Sequence, residues 1–210
     1  MWIKRIYITG ILIGFAIQSW SQPITFFRTY GSGAYDAAES ILQCADNGFI
    51  VVGATSGYNV SGSDVLVFRT DSVGNQIWMK TYGGAGNEWA KCIVQVPGSS
   101  DYMIVGHTNS FGAGQYDFYL LRIKQNGDTV WTKTYGGMDW DFAYHADTTS
   151  DGNIVIVGET SSFGAGNKDA YVIKIDPNGT VLWMQTIGGM DDDMAAWIFE
   201  DRDFNLIVAG

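Results

Sequence analysis

Two acidic clusters carry the most obvious chemistry in this sequence. Asp139 and Asp141 flank Trp140, and Asp191, Asp192 and Asp193 run together. Carboxylates gathered in a turn suit Ca²⁺, a hard cation that takes roughly six to eight oxygens. Paired carboxylates are also the equipment of a glycosidase-like acid–base site. Asp139, Asp141, Asp191 and Asp193 are the candidates for either role. The competing role is local. A turn Asp accepts backbone N–H bonds from its own turn, which accounts for an acid that returns at a regular interval: Asp36, Glu88, Asp141, Asp193. No segment has the D-x-D-x-D-G spacing of a calcium loop. Asp201, Asp203 and Asn205 come nearest, but Asp203 lines up with the turn residues Asp46 and Asp151. No cofactor is expected, with Ca²⁺ at these aspartates as the alternative.

Aromatic rings offer a second kind of chemistry. Trp78, Trp131 and Trp183 recur in register and are expected in the core. Trp89, Trp140 and Trp197 do not keep that register. They are placed near the loop or first strand of their units, where an exposed ring stacks on sugar or peptide, or else packs between neighbouring sheets. Phe111, Gly112, Ala113 and Gly114, and their repeat at 163–166, look like phosphate-binding loops, but they lead into strands and lack a Lys-Ser/Thr partner. His107 and His145 fall at different places in their units, and neither a G-x-S-x-G nor an H-E-x-x-H motif is present. Cys44 and Cys92 are also out of register. The ~10 Å spacing of packed sheets disfavours a bridge between them.

The elements that must position these residues form a repeat. Thr29-Tyr30-Gly31 returns as Thr81-Tyr82-Gly83, Thr134-Tyr135-Gly136 and Thr186-Ile187-Gly188, at spacings of 52, 53 and 52. Within each unit follow an acid, an alanine and a glycine ending a hydrophobic run, and in the first three also a second acid (Asp64, Asp117, Asp169), a turn glycine and a tryptophan. The one extra residue of the second unit falls in the turn 97–101. Four short strands per unit are predicted: 39–45, 49–54, 65–70 and 76–81 in the first, with counterparts in the others. Val, Ile, Tyr, Phe and Trp fill them, and Asp-Asn-Gly or Pro-Asn-Gly turns connect them. A tandem four-stranded antiparallel unit of this length predicts an all-β fold, a β-propeller of about three and a half blades. A β-solenoid has much shorter rungs. The expected units are residues 29–80, 81–133, 134–185 and 186–210, within a partial propeller over 22–210.

Composition agrees with a turn-rich globular chain. Of 210 residues 27 are glycine, close to double the usual ~7%. A net charge of −10 argues against nucleic-acid or anionic-membrane binding, because phosphate attraction needs a basic face. Residues 1–21 read as a signal peptide: Lys4 and Arg5, a short apolar run over 6–17, then Ser19 and Ser21 before a cut at Gln22. The run is short for a transmembrane helix, so no membrane insertion is expected after cleavage. Without Lys4 and Arg5 the chain carries 10 basic and 22 acidic residues. The expected location is secreted or cell-surface.

Residues 131–137, 151–160 and 169–179 resemble the SBBP-type β-propeller repeat of exported bacterial proteins, and the likeness extends over 24–210. It implies a propeller in a secreted or surface protein, often followed by a C-terminal sorting domain in Bacteroidetes-like bacteria. It brings no catalytic residues. Residues 24–28 align with a fourth strand, as in a ring closed by its N-terminus. The fourth unit stops after its second strand, so further C-terminal blades, in the same or a longer chain, are an expected partner. The function expected is a non-catalytic binding or scaffolding module for protein or glycan. A polysaccharide hydrolase or lyase with its site in the funnel, and a structural spacer of a large adhesin, are the alternatives.

Overall fold

The computed structural model describes residues 26–210. The signal peptide expected over 1–21 lies outside them. Among the described residues there is no helix; the chain is made of strands and turns. Blade 1 is β1 (Asp36–Gln43), β2 (Phe49–Thr55), β3 (Asp64–Thr70) and β4 (Gln76–Tyr82). Blade 2 is β5 (Glu88–Gln95), β6 (Tyr102–Thr108), β7 (Asp117–Ile123) and β8 (Thr129–Tyr135). Blade 3 is β9 (Asp141–Thr148), β10 (Ile154–Thr160), β11 (Asp169–Ile175) and β12 (Val181–Ile187). Two strands of a fourth blade follow, β13 (Trp197–Glu200) and β14 (Leu206–Ala209). Each sheet is an antiparallel meander in chain order. The arrangement is an incomplete β-propeller.

Sheets pack face to face, so the second and third strands of a blade are covered on both sides and read as continuous apolar runs. Their alternate residues still serve different faces. Ile154, Ile156 and Ile173 join the blade 2–blade 3 core with Met103, Val105 and Phe118. Val155, Val157 and Val172 face Ile198 of the fourth blade. The same logic joins blade 1 to blade 2 through Val52, Val67, Ile104 and Leu121. Cys44 and Cys92 are free buried thiols, each in a different one of these cores.

Two features of the repeat gain a structural reason. The tyrosine of Thr-Tyr-Gly reaches across to the next blade. Tyr30, Tyr82 and Tyr135 donate their hydroxyls to the carbonyls of Gly74, Gly127 and Gly179, at 2.6, 2.5 and 2.6 Å. The glycines Gly53, Gly106 and Gly158 sit where the bulged first strand crosses close overhead. A Cβ on Gly106 would overlap the carbonyl oxygen of Trp89.

One boundary is corrected. First strands begin about three residues earlier than 39, at the recurring acid itself: Asp36, Glu88 and Asp141. Each pairs with the closing threonine of the second strand, Thr55, Thr108 or Thr160. A blade therefore starts at the acid, out of phase with a unit counted from Thr29.

Candidate functional site

Of the acids expected in loops, Asp141 belongs to a strand start, while Asp139, Asp191 and Asp193 lie outside strands. Asp141, placed by sequence in the loop after the fourth strand, is fully buried as the first residue of β9. Its Oδ2 accepts the N–H of Gly137 and the hydroxyl of Ser162, both at 2.8 Å. Glu88 accepts from the Gly84 N–H at 2.7 Å and from the Thr108 hydroxyl at 2.6 Å. Asp193 accepts the Gly189 N–H at 2.8 Å. Each thus tethers the loop four residues before it, which is why the acid recurs. Asp139 and Asp191 are exposed, and Asp141 and Asp193 sit on successive blades, so the four do not converge. Among the described residues no three His, Cys, Asp or Glu side chains gather as a metal-holding group.

The aromatic candidates divide. Trp89 and Trp140 line one cleft of about 410 Å³, together with Ser63, Asn87, His107, Tyr116 and Phe142. Trp197 is elsewhere. It lies on β13, eleven positions after Thr186, and stacks on His145 with ring centroids 3.6 Å apart. Trp78 and Trp131 are partly buried against the inter-blade cores, as expected, whereas Trp183, on the last strand of blade 3, is exposed.

The cleft is built from cross-strand and cross-blade pairs. Trp89 on β5 lies opposite His107 on β6. Tyr116 forms a parallel bridge to Trp140, as Ser63 does to Asn87. Phe142 of β9 closes the floor, its ring edge-on to His107 at 4.8 Å. Tyr116 stacks on Trp140 at 5.3 Å. Trp89 and Trp140 remain 38% and 41% exposed, so their rings face solvent across the opening. His107 is 5% exposed and its Nδ1 has no partner. Burial, aided by the Lys91 charge, pushes its pKa down to about 4, so the imidazole is neutral at pH 7. Lys91 sits over the Trp89 ring at 5.3 Å and pairs with Glu39 at 2.7 Å.

This cluster breaks the symmetry of the repeat. At the places of Trp89, His107 and Tyr116, blade 1 has Ala37, Ala54 and Ser63, and blade 3 has Phe142, Glu159 and Lys168. In blade 3 the last two form an ion pair at 2.9 Å. The sequence marks both tryptophans and, without a motif partner, leaves His107 unassigned; Tyr116 and Phe142 carry no signal of their own. Laying the three units side by side at those positions exposes the departure.

One family model agrees on the architecture. A β-propeller family described as a domain of unknown function (DUF5122) matches residues 149–181. No curated protein matches. Among solved structures, a eukaryotic initiation factor is similar at 13% identity and TM-score 0.45, over 77% of this chain and 35% of that one. A mutant of the Synechocystis apocarotenoid oxygenase is similar at 13% identity and TM-score 0.42, over 71% and 38%. A Bacteroides caccae protein of unknown function is similar at 10% identity and TM-score 0.26, over 75% and 70%. The chain thus spans well under half the length of the first two.

Proposed function

We propose that this chain is part of an exported, non-catalytic β-propeller that binds a protein or glycan ligand in the aromatic cleft between blades 2 and 3. The supporting observation is the break in repeat symmetry. Packing positions exchange one apolar or aromatic residue for another between units, as in Phe68, Leu121 and Ile173, whereas here blade 2 sets Trp, His and Tyr where blade 1 has Ala, Ala and Ser and blade 3 has an ion pair beside Phe142. Trp89 and Trp140 supply stacking faces, and neutral His107, Asn87 and Ser63 supply the polar groups that orient a ligand. Export rests on Lys4, Arg5 and the apolar run that follows them.

A glycan array and a pull-down from culture medium, each run with the wild type and Trp140→Ala, test this reading. A bound ligand should lose roughly 30-fold in affinity in the variant, the ~2 kcal/mol typical of a central aromatic anchor. Trp197→Ala should leave binding unchanged. A ligand held equally by all three proteins would place the site elsewhere. Absence of any ligand would favour the spacer role.

A further inference from the structure

Each junction between successive blades brings two carboxyl groups onto one glycine. Oxygens of Asp64, at the start of β3, and Glu88, at the start of β5, both occupy the space that a side chain on Gly83 would fill. Asp117 and Asp141 do the same over Gly136, and Asp169 and Asp193 over Gly188. The first two pairs are buried: Asp64 is 8% exposed, Asp117 1%, and Glu88 and Asp141 are fully covered. Among the described residues none of these four acids is ion-paired with Lys, Arg or His. Donors reach half of their eight oxygens. Glu88 is bonded by Gly84 and Thr108, Asp117 by the N–H groups of Ala113 and Gly114, and Asp141 by Gly137 and Ser162. In the first junction the Asp64 oxygen over the glycine, Oδ1, is buried with no partner; in the second, none of these donors reaches Asp117 Oδ1, the oxygen over Gly136, and Asp141 Oδ1 is buried with no partner.

We propose that each of these two pairs holds a single proton, in a carboxyl–carboxylate hydrogen bond, so that the blade junctions are tightened by acid and loosened towards neutral pH. Two ionised carboxylates in a dry pocket repel strongly; one proton turns the repulsion into an O–H···O⁻ bond. A bridging cation is the other way to neutralise them. The surrounding groups oppose it, because four backbone N–H groups and two hydroxyls already aim hydrogens at these oxygens, while Ca²⁺ needs about six free oxygen ligands.

The first blade provides an internal comparison. Asp36 occupies the equivalent position and accepts from Ser32 and Thr55, but only its own carboxyl lies over Gly31. Desolvation pushes its pKa up, yet the bonds from Thr55 and Ser32 together hold it below the usual value. Asp64, with Glu88 beside it, is pushed up to about 6 by burial and by that neighbour. Asp117 is raised by burial, with Asp141 adding to it against the bonds from Gly114 and Ala113. The titratable groups that face the pairs from the packed strands are Tyr119 and Tyr171. Both are pushed up to about 12, chiefly by burial, and stay neutral. The sign follows. A folded-state pKa above the unfolded one contributes stability that is complete below about pH 4 and is lost as pH rises through about 6.

Thermal melts between pH 4 and 7.5 test the proposal, comparing the wild type with Asp64→Asn/Asp117→Asn, each with EDTA and with Ca²⁺. Asn keeps the shape and cannot ionise. The melting temperature of the variant relative to wild type should rise by several degrees between pH 4 and 7, at ~2–4 °C per kcal/mol. A ¹³C carboxyl titration of the wild type reads Asp64 and Asp117 directly and does not depend on the variant folding; midpoints well above the usual carboxyl value are expected. Midpoints at or below about 4, or a melting difference that does not change with pH, would overturn the proposal. So would a wild-type melting temperature at pH 7 that Ca²⁺ raises and EDTA reverses, which would assign the pairs to a cation.

Discussion

At the scale of single residues, the same side-chain type does different work according to what the next blade presents. Trp89 and Trp140 meet in the cleft, whereas Trp197, on β13, stacks on His145 instead. Tyr135 shows the converse, one role repeated. Its hydroxyl closes a 2.6 Å bond to the Gly179 carbonyl of the following blade. Tyr135→Phe should cost about 1 kcal/mol, the net worth of one such bond, and lower the melting temperature by ~2–4 °C. Calorimetry checks this. Tyr35→Phe, at an exposed tyrosine outside the Thr-Tyr-Gly strings, is a control for loss of a hydroxyl as such. The Thr-Tyr-Gly string was visible as a repeat from its spacing. Its purpose was not, because the acceptor lies 44 residues away and belongs to a hairpin that only blade stacking brings near.

At the scale of elements, strand existence and order followed from alternation and turn chemistry, and the second, third and fourth strands lie within a residue or two of the expected positions in the complete blades. The first strand was misplaced because its opening residue is a buried acid. Charge reads as loop until the partners that satisfy it, a loop N–H and a threonine hydroxyl, are known. The glycine closing each second strand was legible as a recurrence, and its cause is tertiary. Gly106→Ala should drive a methyl into the Trp89 carbonyl and cost about 1–3 kcal/mol or more. Gly189→Ala, where nothing lies within 4 Å, should change stability by less than ~0.5 kcal/mol. Urea melts of the two variants make the comparison; equal effects would remove the close-approach explanation for the repeating glycine.

At the scale of the whole molecule, two buried titrations oppose each other. His107 is held neutral, with its pKa depressed to about 4. The unfolded chain binds that proton near pH 6.5, so the stability it contributes is present above 6.5 and is lost as pH falls towards 4, by roughly 3 kcal/mol. The junction carboxyls act with the opposite sign in the same window. The wild type should therefore show a shallow pH profile, and His107→Gln should uncover a stability that falls as pH rises from 4 to 6.5. Urea midpoints at four pH values would show it; a variant profile parallel to that of the wild type would contradict the His107 contribution. Periodicity and turn chemistry in the sequence were enough to specify an all-β repeat, its blade length and its strand order, because these depend on contacts within about 50 residues. The same sequence revealed the recurring acids, glycines and tyrosines without their partners. Those partners, the paired carboxyls over Gly83 and Gly136 and the cleft that joins Trp89 to Trp140, come from neighbouring blades. Only face-to-face packing decides which side chains share a junction, since it brings together groups that no local pattern along the chain connects.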